Sequence, residues 1–228
     1  MTPRTRSLGS PSREDTMIIA ENVAYIYPSA DAPALVGFSA GFQRGEIVAV
    51  SGKNGCGKTT LTKLLTGILQ PTSGRVTIDG SDISAMELFE IGRRVGYVFQ
   101  NPNRQLFCDS VFGEVAYGLR NMDLDESQTA EITGYYLEYF GLTRYRDVYP
   151  GKLSLGEKQR LALAAVLALG TDYLVLDEPT TGLDAMRRLE LGRLISELRK
   201  KLNCGVILIS HEAEFIARYA DREVVMTR

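Results

Sequence analysis

No stretch of the chain approaches the run of about twenty apolar residues that a membrane-spanning helix requires. Its most apolar segment, Leu161 to Leu169, is far too short. If the function involves a membrane, the chain is expected to work beside it. Cysteine is scarce: Cys56, Cys108 and Cys204 are scattered, without pairing or metal-ligand spacing. That excludes a disulfide framework and fits a reducing compartment. Neither sign of charge is in excess, with 26 Lys and Arg against 28 Asp and Glu and a formal net charge of −2. Nothing in this balance suggests a nucleic-acid footprint, and none is expected. Histidine occurs once, at His211. There is no internal repeat.

What is present suffices for one large α/β domain: 228 residues, 44% hydrophobic and 24% charged, which allows a sizeable core without staples. Residues 1–16 are rich in Ser, Thr, Pro and Arg, lack hydrophobic periodicity and lack the apolar core of a signal peptide, so a disordered extension is expected. Met17 stands directly before the first strand-like run and is the expected natural start. Strands are expected over Ile18–Tyr27, Leu35–Phe42, Glu46–Val50, Gly74–Ile78 and Val95–Phe99, with a helix over Thr59–Leu69 and a short one near Ala85–Ile91. Val111 to Arg146 reads as mostly helical. From Tyr173 strands and helices alternate again, over Tyr173–Leu176, Ala185–Leu202, Val206–Ile209, Glu212–Ala220 and Glu223–Met226. The alternation predicts a mainly parallel sheet covered on both faces, interrupted by a helical lobe.

Gly52-Lys53-Asn54-Gly55-Cys56-Gly57-Lys58-Thr59 matches G-x-x-x-x-G-K-[ST] and sits between an apolar strand and a helix. The glycines let the backbone curl so that N–H groups point inward at a polyphosphate, and the helix N-terminus adds partial positive charge. Gly52, Asn54, Gly55, Cys56, Gly57, Lys58, Thr59 and Thr60 are the expected nucleotide-binding residues. Lys58 would neutralise the β- and γ-phosphates, and the Thr59 hydroxyl would ligate Mg²⁺. The rival is a glycine-rich turn with an incidental lysine. Cys56, near Lys58 and a helix N-terminus, reads equally as a reactive thiol that nucleotide would protect and as a small apolar filler.

Tyr173-Leu174-Val175-Leu176-Asp177-Glu178 is an apolar strand ending in two acids at the carboxyl edge of the expected sheet. Asp177 would hold Mg²⁺ through water, and Glu178 would act as general base toward an attacking water. Two solvated acids opening a loop are the alternative, which the cradle disfavours.

Leu153-Ser154-Leu155-Gly156-Glu157, followed by Lys158-Gln159-Arg160, resembles the LSGGQ signature of ATP-binding-cassette (ABC) ATPases. Gln100 in Val98-Phe99-Gln100 is similar to that family's Q-loop glutamine. Gly182-Leu183-Asp184 resembles its D-loop, and His211 in Ile209-Ser210-His211 its switch histidine. Tyr27 stands where the family carries an adenine-stacking aromatic. Tyr25 and Tyr27 both also fit as core residues. The resemblance spans Ile18 to Met226. It implies a P-loop NTPase with a RecA-like core at 17–100 and 160–228, an N-terminal antiparallel β portion and an inserted α-helical subdomain at about 101–159. It further implies ATP and Mg²⁺ as cofactors, catalysis by Glu178, His211 and Lys58, and metal ligation by Thr59, Gln100 and Asp177. Ser154, Gly156 and Asp184 would meet nucleotide held by a second ABC ATPase, identical or different. Two departures stand out: Leu155 replaces a glycine and Glu157 replaces the glutamine. Many relatives continue past the last strand, so a short or truncated form is expected.

Asn101-Pro102-Asn103-Arg104-Gln105-Leu106-Phe107 and Val111 to Leu119 look like the energy-coupling-factor branch. That branch implies uptake of a vitamin or of cobalt or nickel, with transmembrane partners, from the cytoplasmic face of the cell membrane. The rivals are the subunit of an ordinary ABC importer or exporter, a DNA-repair or chromosome-maintenance ATPase, and a non-hydrolysing partner. The chromosome ATPases carry a long coiled coil between cradle and signature. The residues between those motifs here show no heptads.

Overall fold

The computed structural model describes residues 17–227. The expected extension at 1–16 and the terminal Arg228 lie outside the described residues. In chain order the elements are β1 (Met17–Tyr25), β2 (Leu35–Gln43), β3 (Ile47–Gly52), α1 (Lys58–Leu65), β4 (Ser73–Ile78), β5 (Ser81–Asp82), α2 (Leu88–Arg94) and β6 (Val95–Val98). Then come α3 (Val111–Arg120), α4 (Glu126–Tyr139), α5 (Leu155–Ala168), β7 (Tyr173–Asp177), α6 (Ala185–Leu202), β8 (Gly205–Ile209), α7 (Ala213–Tyr219) and β9 (Arg222–Met226). Residues 17–100 and 171–227 form one compact unit, and residues 101–170 another.

In the first unit a five-stranded sheet runs in the order β6-β7-β8-β3-β9, every neighbouring pair parallel. Its central strands are unbroken apolar runs because both faces are covered. Ile47, Val48, Ala49 and Val50 have no exposed surface, and Tyr173, Leu174, Val175 and Ile207 likewise. A four-stranded antiparallel sheet, β2-β1-β4-β5, supplies the other layer. Here β1 alternates as a half-covered strand should, burying Ile18 and Ala20 and, after a bulge at Asn22 that shifts the phase, Val23. The β4–β5 hairpin closes on Asp79-Gly80, both with positive φ (51° and 80°), the backbone a tight two-residue turn demands.

The helix opened by the glycine loop ends at Leu65, short of the expected Leu69. Thr66 turns its hydroxyl back onto the Thr62 carbonyl (2.8 Å), and Gly67 takes a φ of 72°. That left-handed backbone favours glycine, and a Cβ there would also stand 2.5 Å from Ile91 Cδ1, which would have to shift. The faces of α1 that carry Leu61, Leu64 and Leu65 are fully buried. Each such side chain contributes about 1.5–3 kcal/mol relative to exposure.

The second unit is a helical bundle in which α3 packs on α4 and α5. Val111, Val115, Ala116 and Leu119 form the buried face of α3. Each helix starts on a side-chain cap. Ser110 accepts from the Gly113 amide at 3.0 Å, Asp125 and Gln128 form a reciprocal capping box, and Ser154 and Glu157 form another. The bundle ends at Gly170 rather than near residue 159, because α5 is one continuous helix packed along both partners.

Candidate functional site

The glycine loop lies at the carboxyl end of β3 and leads into α1. Gly57 caps that helix with a φ of 99° and no side-chain hydrogen bond, so no side chain competes for the first-turn amides. A Cβ at Gly57 would sit 2.3 Å from the Ala34 carbonyl oxygen, and one at Gly52 would sit 2.7 Å from the Met226 carbonyl oxygen. The curl is therefore tight enough to require glycine at both places. Lys58 is 8% exposed, and its ammonium reaches back to donate to the carbonyls of Gly52 (2.8 Å) and Lys53 (3.3 Å). Thr59 is exposed at the helix start, while Thr60 is buried and shares a 3.3 Å hydrogen bond with the Tyr27 hydroxyl. Tyr27 thus touches the cradle directly. Its ring meets that of Tyr25 edge-on at 4.9 Å.

Cys56 is 7% exposed and belongs to the apolar core, with its sulfur packed against Gly52 of the loop. The Cys204 thiol is pushed up to about 12 by burial, which keeps it protonated and inert.

The two acids end β7 as expected. Asp177 is 6% exposed, and its Oδ2 accepts a hydrogen bond of 3.0 Å from the Tyr97 hydroxyl. Burial raises the Asp177 carboxyl from its ordinary value. The Tyr97 bond opposes the rise, the Glu178 charge adds to it, and the Lys58 charge opposes it. Burial pushes the Tyr97 phenol far up, so it stays a proton donor. Glu178 is nearly buried and holds a left-handed φ of 47°, a strained backbone that costs about 1–3 kcal/mol and persists where the surroundings impose it. Its amide donates to the Ile209 carbonyl at 2.9 Å.

That bond brings the two loops together. β7 and β8 are parallel neighbours with Asp177 opposite Ile209, so the residues just beyond them meet. His211 Nδ1 lies 2.8 Å from Glu178 Oε2. A carboxylate only accepts, so Nδ1 carries the proton and Nε2 of a neutral ring is left as an acceptor. The D-loop and the histidine loop are also linked, because Arg188 Nε donates to the Leu183 carbonyl (3.0 Å) and Arg188 Nη1 pairs with Glu212 (3.4 Å). Asp184 caps α6 through the Arg187 amide at 2.9 Å. Gln100 is exposed just beyond β6.

In the helical unit, Ser154 is the N-cap of α5, and its partners are internal. Its hydroxyl donates to Glu157 Oε2 (2.7 Å) and accepts from the Glu157 amide (3.4 Å), while the Ser154 amide donates to the same carboxylate (2.8 Å). Hydrogen bonds from Tyr145 and from Ser154 hold the Glu157 carboxyl down to about 2. Gly156, in the first turn, is half-buried.

Oxygen donors, two adjacent buried acids and one lysine suit a hard dication carried with phosphates. Among the described residues no group of three or more His, Cys, Asp or Glu side chains could hold an ion alone. Sequence reasoning missed Tyr97 and Arg188. A tyrosine inside an apolar run reads as core, and an arginine on a charged helix reads as a solvated face.

Residues 35–181 match the family model described as ABC transporter. A putative ABC transporter ATP-binding protein of Pyrococcus furiosus is 42% identical over 92% of this chain and 80% of its own length. The energy-coupling factor transporter ATP-binding protein EcfA of Methanothermobacter thermautotrophicus is 43% identical over 92% of this chain and 68% of its own length. Other relatives are longer: the chain spans 37% of a putative ABC transporter ATP-binding protein of Vibrio vulnificus, at 39% identity and over 94% of this chain. Among solved structures, cbiO1 of Clostridium perfringens, described as part of the ABC transporter complex cbiONQ, superposes with a TM-score of 0.86. It is 36% identical, and the match covers 94% of this chain and 86% of that one. No helix among the described residues is long and apolar enough to cross a membrane. The chain belongs to the ABC transporter family.

Proposed function

We propose that the protein binds and hydrolyses ATP with Mg²⁺ to power a membrane transporter of the energy-coupling-factor type, working as a peripheral subunit on the cytoplasmic face of the membrane. The observation that carries this reading is the Glu178–His211 pair at 2.8 Å, next to an Asp177 that senses both the Glu178 and the Lys58 charge. When bound, the nucleotide supplies the bond to be cleaved and Mg²⁺ neutralises its phosphates. Lys58 and the uncapped amides of α1 would grip the polyphosphate, Thr59 and Gln100 would hold the metal with Asp177 acting through water, and Tyr27 would stack on adenine. Glu178 takes the proton of the attacking water, and His211 keeps that carboxylate oriented through Nδ1–H.

Ser154, Gly156 and Asp184 serve a site completed by a second ABC ATPase. The energy-coupling-factor branch is supported by the 101–119 sequence and by the names of two relatives, EcfA and cbiO1 of the cbiONQ complex. A transmembrane coupling protein and a separate substrate-binding membrane protein are the implied partners, with a vitamin or a cobalt or nickel ion as cargo. Copurification from native membranes distinguishes these partners from the permease of an ordinary importer or exporter. Phosphate release from ATP tests the chemistry. Glu178→Gln is expected to lower turnover about 10²–10⁴-fold while nucleotide stays bound, and a Glu178→Gln protein as active as the parent contradicts the assignment.

A further inference from the structure

From the neighbouring strand the Tyr97 hydroxyl donates to Asp177 Oδ2 at 3.0 Å. It stands on β6 opposite Val175 of β7, three residues before Gln100, and its ring packs on Phe99 with centroids 4.6 Å apart. Its phenol oxygen also faces the Thr62 side chain of α1. Thr62 is fully buried, and its hydroxyl donates to the Thr59 carbonyl at 2.8 Å. One phenol therefore meets the strand of Gln100, the strand of Asp177 and the helix turn of Thr59, the three residues expected to surround the metal. A tyrosine that only filled the core would need some acceptor for its hydroxyl. Here the acceptor is the carboxylate whose rotation decides how a cation is met.

We propose that Tyr97 is a positioning residue for the metal site: its hydroxyl fixes the rotation of the Asp177 carboxylate and ties it to α1, so that Mg²⁺ arriving with the nucleotide finds its ligands already oriented. The proposal rests on the ATP–Mg²⁺ reading of the same site. Partners one bond removed from a metal ligand typically support about 10–100-fold of metal affinity, by holding that ligand in place.

The test measures Mn²⁺ in place of Mg²⁺, by electron paramagnetic resonance of the free ion, with the whole chain and saturating ADP. Tyr97→Phe removes one oxygen and keeps the ring. It is expected to weaken Mn²⁺ binding about tenfold or more, while ADP affinity in EDTA stays at the parent's value and the melting temperature falls only by what one lost buried hydrogen bond costs. Equal Mn²⁺ affinity in parent and variant overturns the proposal. So does a variant in which metal-free ADP affinity falls alongside it, since that is a packing defect. A parent that binds no Mn²⁺ with ADP removes the ATP–Mg²⁺ reading itself, and Tyr97 with it. Should Tyr97→Phe fail to fold, Thr62→Val removes the α1 end of the bridge and is read by the same criteria.

Discussion

Two helix starts in this chain face the same physical problem and solve it in opposite ways. At both α1 and α5 the first-turn amides lack intrahelical partners and carry partial positive charge. At α1 the capping residue is Gly57, with no side chain to offer, and the neighbouring side chain is the cationic Lys58. At α5 the caps are supplied from within, since Ser154 and Glu157 satisfy one another and place a carboxylate on the helix end. The first start is left for an anion and the second has brought its own. A start whose sequence withholds the cap leaves its amides free for phosphate, whereas at α5 an incoming phosphate has to compete with Glu157.

Substitutions can break or sharpen that contrast. The largest effect is expected from Gly57→Ala. A methyl group there adds left-handed strain of about 1–3 kcal/mol and collides with the Ala34 carbonyl at 2.3 Å. Calorimetry should show a fall of several degrees in melting temperature, and nucleotide binding should be lost. A stable, nucleotide-binding Gly57→Ala protein would mean that the bare cap is not required. Next comes Ser154→Ala, which deletes a cap and should cost about 1 kcal/mol, or about 2–4 °C in melting temperature for a domain of this size.

The smallest effect is expected from Glu157→Gln, because glutamine can also close the box. Its sign on activity is the informative part. Removing a negative charge from a helix start worth about 0.3–1 kcal/mol should raise ATPase turnover about two- to fivefold if phosphate must approach Ser154. The pH dependence gives an independent reading. The Glu157 carboxyl is held down to about 2 in the folded chain, against 4.5 ordinarily. The stability it adds is therefore complete above about pH 4.5 and is lost as the pH falls through 2. Acid titrations of parent and Glu157→Gln should show a small margin in favour of the parent near neutrality and converge as the pH falls through that window.

Much of this contrast was legible beforehand, because both helices are announced by local patterns. The cradle follows from glycine spacing between an apolar strand and a helix, and its strand, β3, is buried as its unbroken apolar run required. The Ser-x-x-Glu pattern at 154–157 is equally local, yet Glu157 read only as a departure from a signature, when it also spelled a capping box. What sequence could not show is contact across distance. Glu178 and His211 are 33 residues apart and meet because β7 and β8 happen to be neighbours in register. Tyr97 and Asp177 are 80 residues apart, and nothing in an apolar strand marks which hydroxyl will find a carboxylate. The early end of α1, by contrast, was local and overlooked, since Gly67 with its φ of 72° is a helix-stop glycine.

The central claim is that the open start of α1, with Lys58, grips a polyphosphate, and isothermal titration of ATP into the parent and into Lys58→Ala tests it most directly. The account predicts measurable binding to the parent and a loss of about 100-fold or more in the variant, since a hydrogen-bonded charge removed from a buried pair costs about 3 kcal/mol or more. Equal affinity in the two proteins would contradict it.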